Sequence, residues 1–357
     1  MGKFIFSKFV YSVIVLWGVI TSIFFLFNVL PGDPATIMLG QRANKEQVEA
    51  IHKDLGLDLP IFTQYFLYLN DLSPLSIHNS VNKNSHWYFD KEKYLGFTLI
   101  PFGEKILVLK IPYLRRSYIT KRPVSDIILE TLPETTVLAF SSIIVSSILG
   151  ILLGILAAIK LNTWYDKISL VLSVLGMAAP SFFVGLIIAW LFGYVLRDYT
   201  GLSPTGSLYE LDVWEGEKIQ IKNLILPAIT LGVRPLAIIV QLMRSSLLDV
   251  MSQDYIRTAR AKGLSFYTIV FKHALKNALN PVVTAISGWF AGLMAGAVFV
   301  EYIFNWKGIG YEVYEALTKN DLPVVMGATL VFATIFVLTN MIVDIIYGFL
   351  DPRVRIK

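Results

Sequence analysis

Six stretches of the chain are apolar almost without interruption: 9–30, 136–159, 168–196, 224–243, 281–300 and 322–343. A helix needs ~20 such residues to cross a ~30 Å hydrocarbon core, so the pattern predicts six transmembrane helices. Five of the runs carry no charge, and the fourth carries Arg234 between Pro227 and Pro235. The first run follows Lys3 and Lys8 and ends in "LPGDP". It is longer than the ~7–15-residue apolar region of a signal peptide and has no small-residue cleavage site, which makes it a retained span.

Between the first two runs lies a long mixed segment. Asn44 with Gln47 resembles a capping pair, Val48, Ile51 and Leu55 recur at helical spacing, and Gly56 suits a helix stop, so a short amphipathic helix is expected over 45–56. From 73 to 116 the text turns aromatic, with "HWYFDKEKYLGFTLIPFGEKILVLKIPY" alternating enough for a strand or two. The expectation is a small ordered cap inserted between the first and second spans.

The polar stretch between the fourth and fifth runs, "DYIRTARAKGLSFYTIVFKHALKNALNP" at 254–281, is different in kind. Ser252 is placed to cap a first helix with Asp254 in its opening turn, running to Lys262. Gly263 breaks it. Ser265 then caps a second helix in which Phe266, Ile269, Val270 and Ala274 share a face while Lys272 and Lys276 point elsewhere. The small residues Ala259, Ala261 and Gly263 leave room for the close approach of another protein. The alternative is a purely topological role, since Arg257, Arg260, Lys262, Lys272 and Lys276 form a juxtamembrane basic cluster.

Composition agrees with a membrane protein: 55% of residues are hydrophobic and 16% charged, with a mean hydropathy of +0.62. A net charge of +5 is too small to suggest nucleic acid. With the N-terminus cytoplasmic, the short inside segments hold thirteen Lys and Arg and the short outside ones five. That bias places both termini, and the 254–281 stretch, inside. Cysteine is absent, which excludes disulfides and thiolate chemistry. His52, His78, His86 and His273 show no metal-ligand spacing, His78 and His86 are expected at the surface, and His273 is expected to pack or hydrogen-bond within the stretch. No catalytic triad or carboxylate pair is visible, and no G-x-x-x-x-G-K-[ST] run is present to cradle phosphates.

In the 254–281 stretch, Arg257, Thr258 and Ala259 occupy the three places of a Glu-Ala-Ala motif, with Gly263 four residues on and Leu275 later. The stretch resembles the cytoplasmic coupling loop of binding-protein-dependent ABC transporter permeases. Its departures, a base for the acid and Lys276 for a proline, are similar to the dipeptide/oligopeptide (and nickel) importer branch. "LPGDP", "LGLDLPIFTQYFLYL", "LPETT", "APSFFVGL", "LPAITLG", "EYIFNWKGIG", "DLPVVMGATL" and "NMIVDIIYGFLDPRVR" follow in that branch's order. The 73–116 insertion, ending "YLRRS", departs from it.

The resemblance implies an all-α integral membrane protein with the type I ABC importer permease fold. Residues 1–122 would hold the first span and the extracytoplasmic segment, and 123–357 a five-helix core with the coupling loop at 252–280. It further implies a second homologous permease subunit, in a heterodimer, two ATPase subunits that bind ATP and Mg, a substrate-binding protein, and no cofactor in this chain. The membrane would be the cytoplasmic one of a bacterium and the cargo di- or oligopeptides; a nickel chelate or another small solute is the alternative, ahead of an intramembrane enzyme or an ion-coupled carrier. ATPase coupling would fall on Asp254, Tyr255, Arg257, Thr258, Ala259, Arg260, Ala261, Lys262, Gly263, Leu264, His273 and Leu275.

Three further features follow from the residues alone. Arg234, a charge near mid-span, either lines the translocation path or an intersubunit contact, meeting a substrate carboxylate or a partner subunit's acid, or meets carbonyls freed by the prolines. Asn340 offers an interhelical hydrogen bond or a path contact, and Asp344 is expected to pair with a basic residue such as Arg353. Gly150 with Gly154, and Gly288 with Gly292 and Gly296, suit close helix packing or a dimer seam.

Overall fold

A computed structural model describes residues 2–29, 34–39, 45–83, 85–212 and 216–350. In chain order the helices begin with α1 (Gly2–Val29), α2 (Pro34–Leu39), α3 (Lys45–Leu55) and α4 (Ile61–Leu72). Strands β1 (Leu75–Asn79), β2 (Gly96–Phe102) and β3 (Lys105–Lys110) come next. Then follow α5 (Val124–Ile159), α6 (Trp164–Ala178), α7 (Ser181–Ile188) with a π-helical extension over Ala189–Val195, and α8 (Arg197–Thr200). A hairpin of β4 (Tyr209–Asp212) and β5 (Gly216–Ile219), which the sequence pattern did not announce, leads into α9 (Ile221–Met251) and α10 (Asp254–Ala261). After α11 (Phe266–Thr268), a π-helical segment Ile269–Ala274 runs into α12 (Leu275–Gly296), and α13 (Val298–Phe304), α14 (Ile309–Thr318) and α15 (Leu322–Leu350) complete the order.

Among the described residues, five helices are long and apolar enough to cross a membrane: Phe4–Phe27, Val124–Ile159, Ile221–Met251, Phe266–Ala295 and Leu322–Ile345. The expected span over 168–196 is not one straight helix, because α6 and α7 meet at a bend of 113°. Pro180 explains the break: it brings no N–H to the ladder and pushes Ala179 out of the helical region, to φ −72 and ψ 133. By contrast α9 continues through Pro227 and Pro235 and overshoots the expected end at 243, reaching Met251. Near Pro235 the Ser146 hydroxyl donates to the Gly232 carbonyl at 2.8 Å. Gly150 and Gly154 lie against Ile239 and Met243 of α9, where an added Cβ would fall 2.7 and 2.6 Å from side-chain atoms. At Gly288 and Gly292 an added Cβ would meet nothing within 4 Å.

The chain divides into two compact units. One comprises Met1–Glu130 with Glu312–Val337. Here Phe24 of α1 packs on Tyr65 and Tyr68 of α4, together with Met326 and Leu330 of α15. The Asp321 carboxylate accepts from the Ser117 hydroxyl and from the Tyr118 amide at 2.9 Å. Helix α3 forms as expected and stops at Gly56, whose φ of +68 suits glycine; Asn44 of the expected capping pair lies outside the described residues.

The alternating stretch 86–113 holds two strands, β2 and β3, as expected, and among the described residues β1 ahead of it adds a third, in an antiparallel sheet of order β1-β3-β2. Asp71 of α4 pins it: its carboxylate accepts from the Tyr94 hydroxyl at 2.7 Å and sits 3.6 Å from Arg115, while the Lys110 ammonium donates to its carbonyl at 2.5 Å. His78, expected at the surface, is only 1% exposed. The alternation of β1 turns Ser76 and His78 to the same inward face, and His78 ends beside the rings of Phe89 and Tyr94. Burial, with the nearby Lys110 charge, lowers its pKa to about 4. The other unit comprises Thr131–Tyr311 with Leu338–Lys357 and contains the 254–281 stretch.

Candidate functional site

The 254–281 stretch is an elbow built from one short helix and the extended foot of a span. Helix α10 runs from Asp254 to Ala261 and ends at Gly263, whose φ of +76 reverses the chain and favours glycine. The second arm begins with Ser265, whose hydroxyl oxygen accepts from the Thr268 amide at 3.3 Å, as a cap should. It does not stop as a separate helix. Through the π-helical turns of Ile269–Ala274 it continues into α12, so that arm and span are one continuous helical rod.

Packing joins the arms. Ile256 and Ala259 of α10 are buried with Ile269, Val270 and Ala274 of the second arm, against Met243 and Leu247 of α9. Burying each large aliphatic side chain contributes roughly 1.5–3 kcal/mol, so α10 is held to two spans by its own core. The Asn277 amide donates to the Tyr255 hydroxyl at 2.8 Å and adds a polar tie between the arms. Leu275 packs against the same core, and His273 is half-buried in the π-helical turns.

Three expectations are corrected here. Ser252 does not cap α10: its hydroxyl donates to the Asp249 carbonyl at 2.7 Å, at the end of α9, and Gln253 takes the cap position without a side-chain bond. Ala259 is not available to a partner, because the turn spacing from Ile256 to Ala259 puts both on the buried face. Phe266 does not share the inner face of Ile269 and Val270 and is 45% exposed, since the chain is still leaving the Gly263 turn at that point. Lys272 and Lys276 point outward as expected.

The outer surface therefore consists of Asp254, Tyr255, Arg257, Thr258, Arg260, Ala261, Lys262, Gly263 and Leu264, with Phe266, Tyr267 and Phe271 beside them. Arg257 lies 3.4 Å from Asp254 across one helical turn. Such an exposed pair contributes little to stability, so the guanidinium stays open to a partner's acid. A basic rim around exposed aromatic side chains makes a docking surface for a protein with acidic and apolar groups.

Arg234 and Asn340 do not meet at one site. Arg234 projects from α9 into a cavity of about 180 Å3 bounded by Ser181, Thr230, Trp289 and Gly292. Neither carbonyl oxygens nor acids among the described residues bond to it, so the reading that it serves the proline-freed carbonyls falls. Asn340 is half-buried on α15 and does not line that cavity. Arg353, the expected partner of Asp344, lies outside the described residues.

A second cluster escaped sequence reasoning. Two of the quoted segments, "LPETT" and "EYIFNWKGIG", fold onto each other. The Thr135 hydroxyl donates to Glu301 Oε1 at 2.7 Å and accepts from the Ile309 amide at 2.8 Å, while Glu301 Oε2 accepts from the Tyr311 amide at 3.0 Å. The Trp306 indole donates to the Glu134 carbonyl at 3.0 Å. Glu301 has no exposed surface, and lies beyond the end of the Phe266–Ala295 span. Burial, reinforced by the Glu134 carboxylate, raises its pKa to about 7, against the pull of its hydrogen bonds. An added Cβ at Gly308 would strike Thr135 and Glu301, which is why a glycine stands there. A lone acid closing an apolar run was the available signal.

A family model for the inner membrane component of binding-protein-dependent transport systems matches residues 150–356, and one for the N-terminal part of such components matches residues 1–83. The chain belongs to this family. As a permease it is 34% identical to the dipeptide transport system permease protein DppB of Alkalihalophilus pseudofirmus, over 96% of each chain. It is 34% identical to the di/tripeptide transport system permease protein DppB of Pseudomonas aeruginosa, over 95% of this chain and 94% of that one. The glutathione transport system permease protein GsiC of Escherichia coli K12 is 32% identical, again over 95% and 94%. The permease is a transport subunit and not an enzyme, a multi-pass protein of the inner membrane that works with an ATPase and a binding protein.

Proposed function

We propose that the permease forms the translocation path for short peptides in an importer, and that an ATPase subunit drives it through the elbow at 252–280. The cargo is inferred from the relatives, whose names specify dipeptides, di- and tripeptides and glutathione. A single structural observation supports the coupling role. Helix α10 is exposed on one face and locked on the other, through Ile256 and Ala259, to α9 and to the rod that becomes α12. A push on α10 is thereby delivered to two membrane helices at once, which is what shifting between inward-open and outward-open arrangements requires.

In this reading ATP and Mg are held by two ATPase subunits, this chain holds no cofactor, and a second, homologous permease completes a heterodimer. Both termini and the elbow face the cytoplasm, in line with the basic residues counted there. The absence of cysteine makes the test clean. A Lys262→Cys variant carries a single thiol on the outer face of the elbow. Cross-linking in native membranes, followed by mass spectrometry, is expected to capture an ATPase. If a thiol at Lys262 captures lipid-exposed proteins only, while the purified complex contains no ATPase, the reading fails.

A further inference from the structure

The charge of Arg234 stands at the fourteenth residue of the 31-residue helix α9, about 20 Å along it at 1.5 Å per residue. That depth makes an unpaired guanidinium costly, by at least ~2.5–3.5 kcal/mol on insertion scales. Mid-span charges persist where they face water or an anion. Arg234 has its exposed surface on a cavity, and no carboxylate or carbonyl of the described residues bonds to it.

The walls are suited to a ligand's end group. Ser181 is the first residue of α7 after the 113° break from α6, whereas Thr230, one turn before Arg234 on α9, is buried with its hydroxyl given to the Leu226 carbonyl at 2.8 Å and serves only as wall. Trp289 supplies a flat apolar side, and Gly292 on the same helix leaves the wall open, since an added Cβ there would meet nothing within 4 Å. The volume, about 180 Å3, is below the ~300 Å3 of a pocket that encloses a whole small ligand. It suits one end of a longer molecule instead. A guanidinium presents two parallel N–H donors in the geometry that a carboxylate accepts, a match that amides and ammonium groups cannot make.

We propose that Arg234 recognises the C-terminal carboxylate of the transported peptide, with Ser181 and Trp289 forming the rest of the subsite. This rests on the peptide reading above. The cavity selects for an anionic end and not for any side chain, which fits a path that must pass many sequences.

The test uses the whole transporter, with its partner subunits and binding protein, in proteoliposomes. The probe is a mixture of di- and tripeptides of alanine, leucine, lysine and glutamate, supplied as free acids and as C-terminal amides, with uptake read by mass spectrometry. Because the same binding protein serves every variant, its own preference cancels when a variant's acid-to-amide ratio is divided by that of the unsubstituted transporter. Arg234→Gln is expected to lower uptake of the free acids at least about tenfold, as loss of a charged hydrogen-bonded pair does, and to leave amide uptake unchanged. Arg234→Lys, which keeps the charge without the fork, is expected to fall between. Equal loss of acids and amides, or loss of the second permease on purification of Arg234→Gln, overturns the proposal in favour of a subunit contact. No change for either form overturns it outright. Uptake of neither form by the unsubstituted transporter sinks the peptide reading itself and takes this proposal with it.

Discussion

Glu301 shows how much can depend on one buried acid. Its hydrogen bonds come from three backbone or hydroxyl donors across a long stretch of sequence, yet burial still lifts its pKa from 4.5 to about 7. In the unfolded chain the ordinary value applies, so the folded state holds the proton more tightly. The stability of this region is then full below pH 4.5 and declines as the pH rises to about 7. At 1.36 kcal/mol per pKa unit the decline amounts to roughly 3 kcal/mol. Glu301→Gln keeps a neutral group of the same shape and is expected to abolish that decline. Thermal unfolding of the purified permease in detergent at pH 5 and pH 8 measures it. Parallel pH profiles for the two proteins would show that Glu301 stays ionised in the fold.

Between elements, an ion pair within the second unit joins α6 to α9. Arg244 donates through Nε and Nη2 to the two oxygens of Asp166, at 2.5 and 3.0 Å, and the Asn162 amide adds a third bond at 2.9 Å. The Asp166 side chain is 3% exposed, so removing its partner strands a buried charge. Arg244→Ala is expected to cost roughly 1.5–3 kcal/mol, the range for a hydrogen bond to a charged group, and Asp166→Asn with Arg244→Gln together less, because no charge is then left alone. Unfolding midpoints of the three variants in detergent check this; equal losses for the single and double changes would mean the pair acts through packing only.

The same elements show what sequence could and could not say. Apolar runs mark membrane helices because their composition alone carries the signal, and five of the six coincide with helices of membrane length, although the one expected over 281–300 is shifted to Phe266–Ala295 and the run breaks at Ala297. The sixth kept its hydropathy through a sharp bend that only Pro180 betrayed. In the insertion the alternation was visible, but which face of β1 turned inward was not, since the rings that cover His78 come from Phe89 and Tyr94. The elbow was legible at its breaker, Gly263, and its outward lysines. The burial of Ala259 was not, because it depends on residues of the second arm and of α9. The role of Glu301 depends on Thr135, 166 residues away, and no local pattern encodes such a distance.

At the scale of the whole molecule the question is whether the elbow transmits force or merely orients the chain. A topological signal needs only its charges, and these would survive any change of backbone. A lever needs its angle. Gly263 holds that angle at a φ of +76, with open space around it, so a side chain there meets no neighbour and the effect of substitution lies in the backbone alone. Proline, fixed near −65°, cannot adopt it. Gly263→Pro is therefore expected to leave membrane insertion and the amount of purified permease close to wild type while separating ATP hydrolysis from uptake in proteoliposomes. Gly263→Ala, whose left-handed strain is of order 1 kcal/mol, is expected to retain most of the coupling. Unaltered coupling in the proline variant would reduce the elbow to a positive-inside anchor, and loss of the protein from the membrane would make Gly263 a folding residue. Separation of hydrolysis from transport, with insertion intact, is the outcome that only a lever produces.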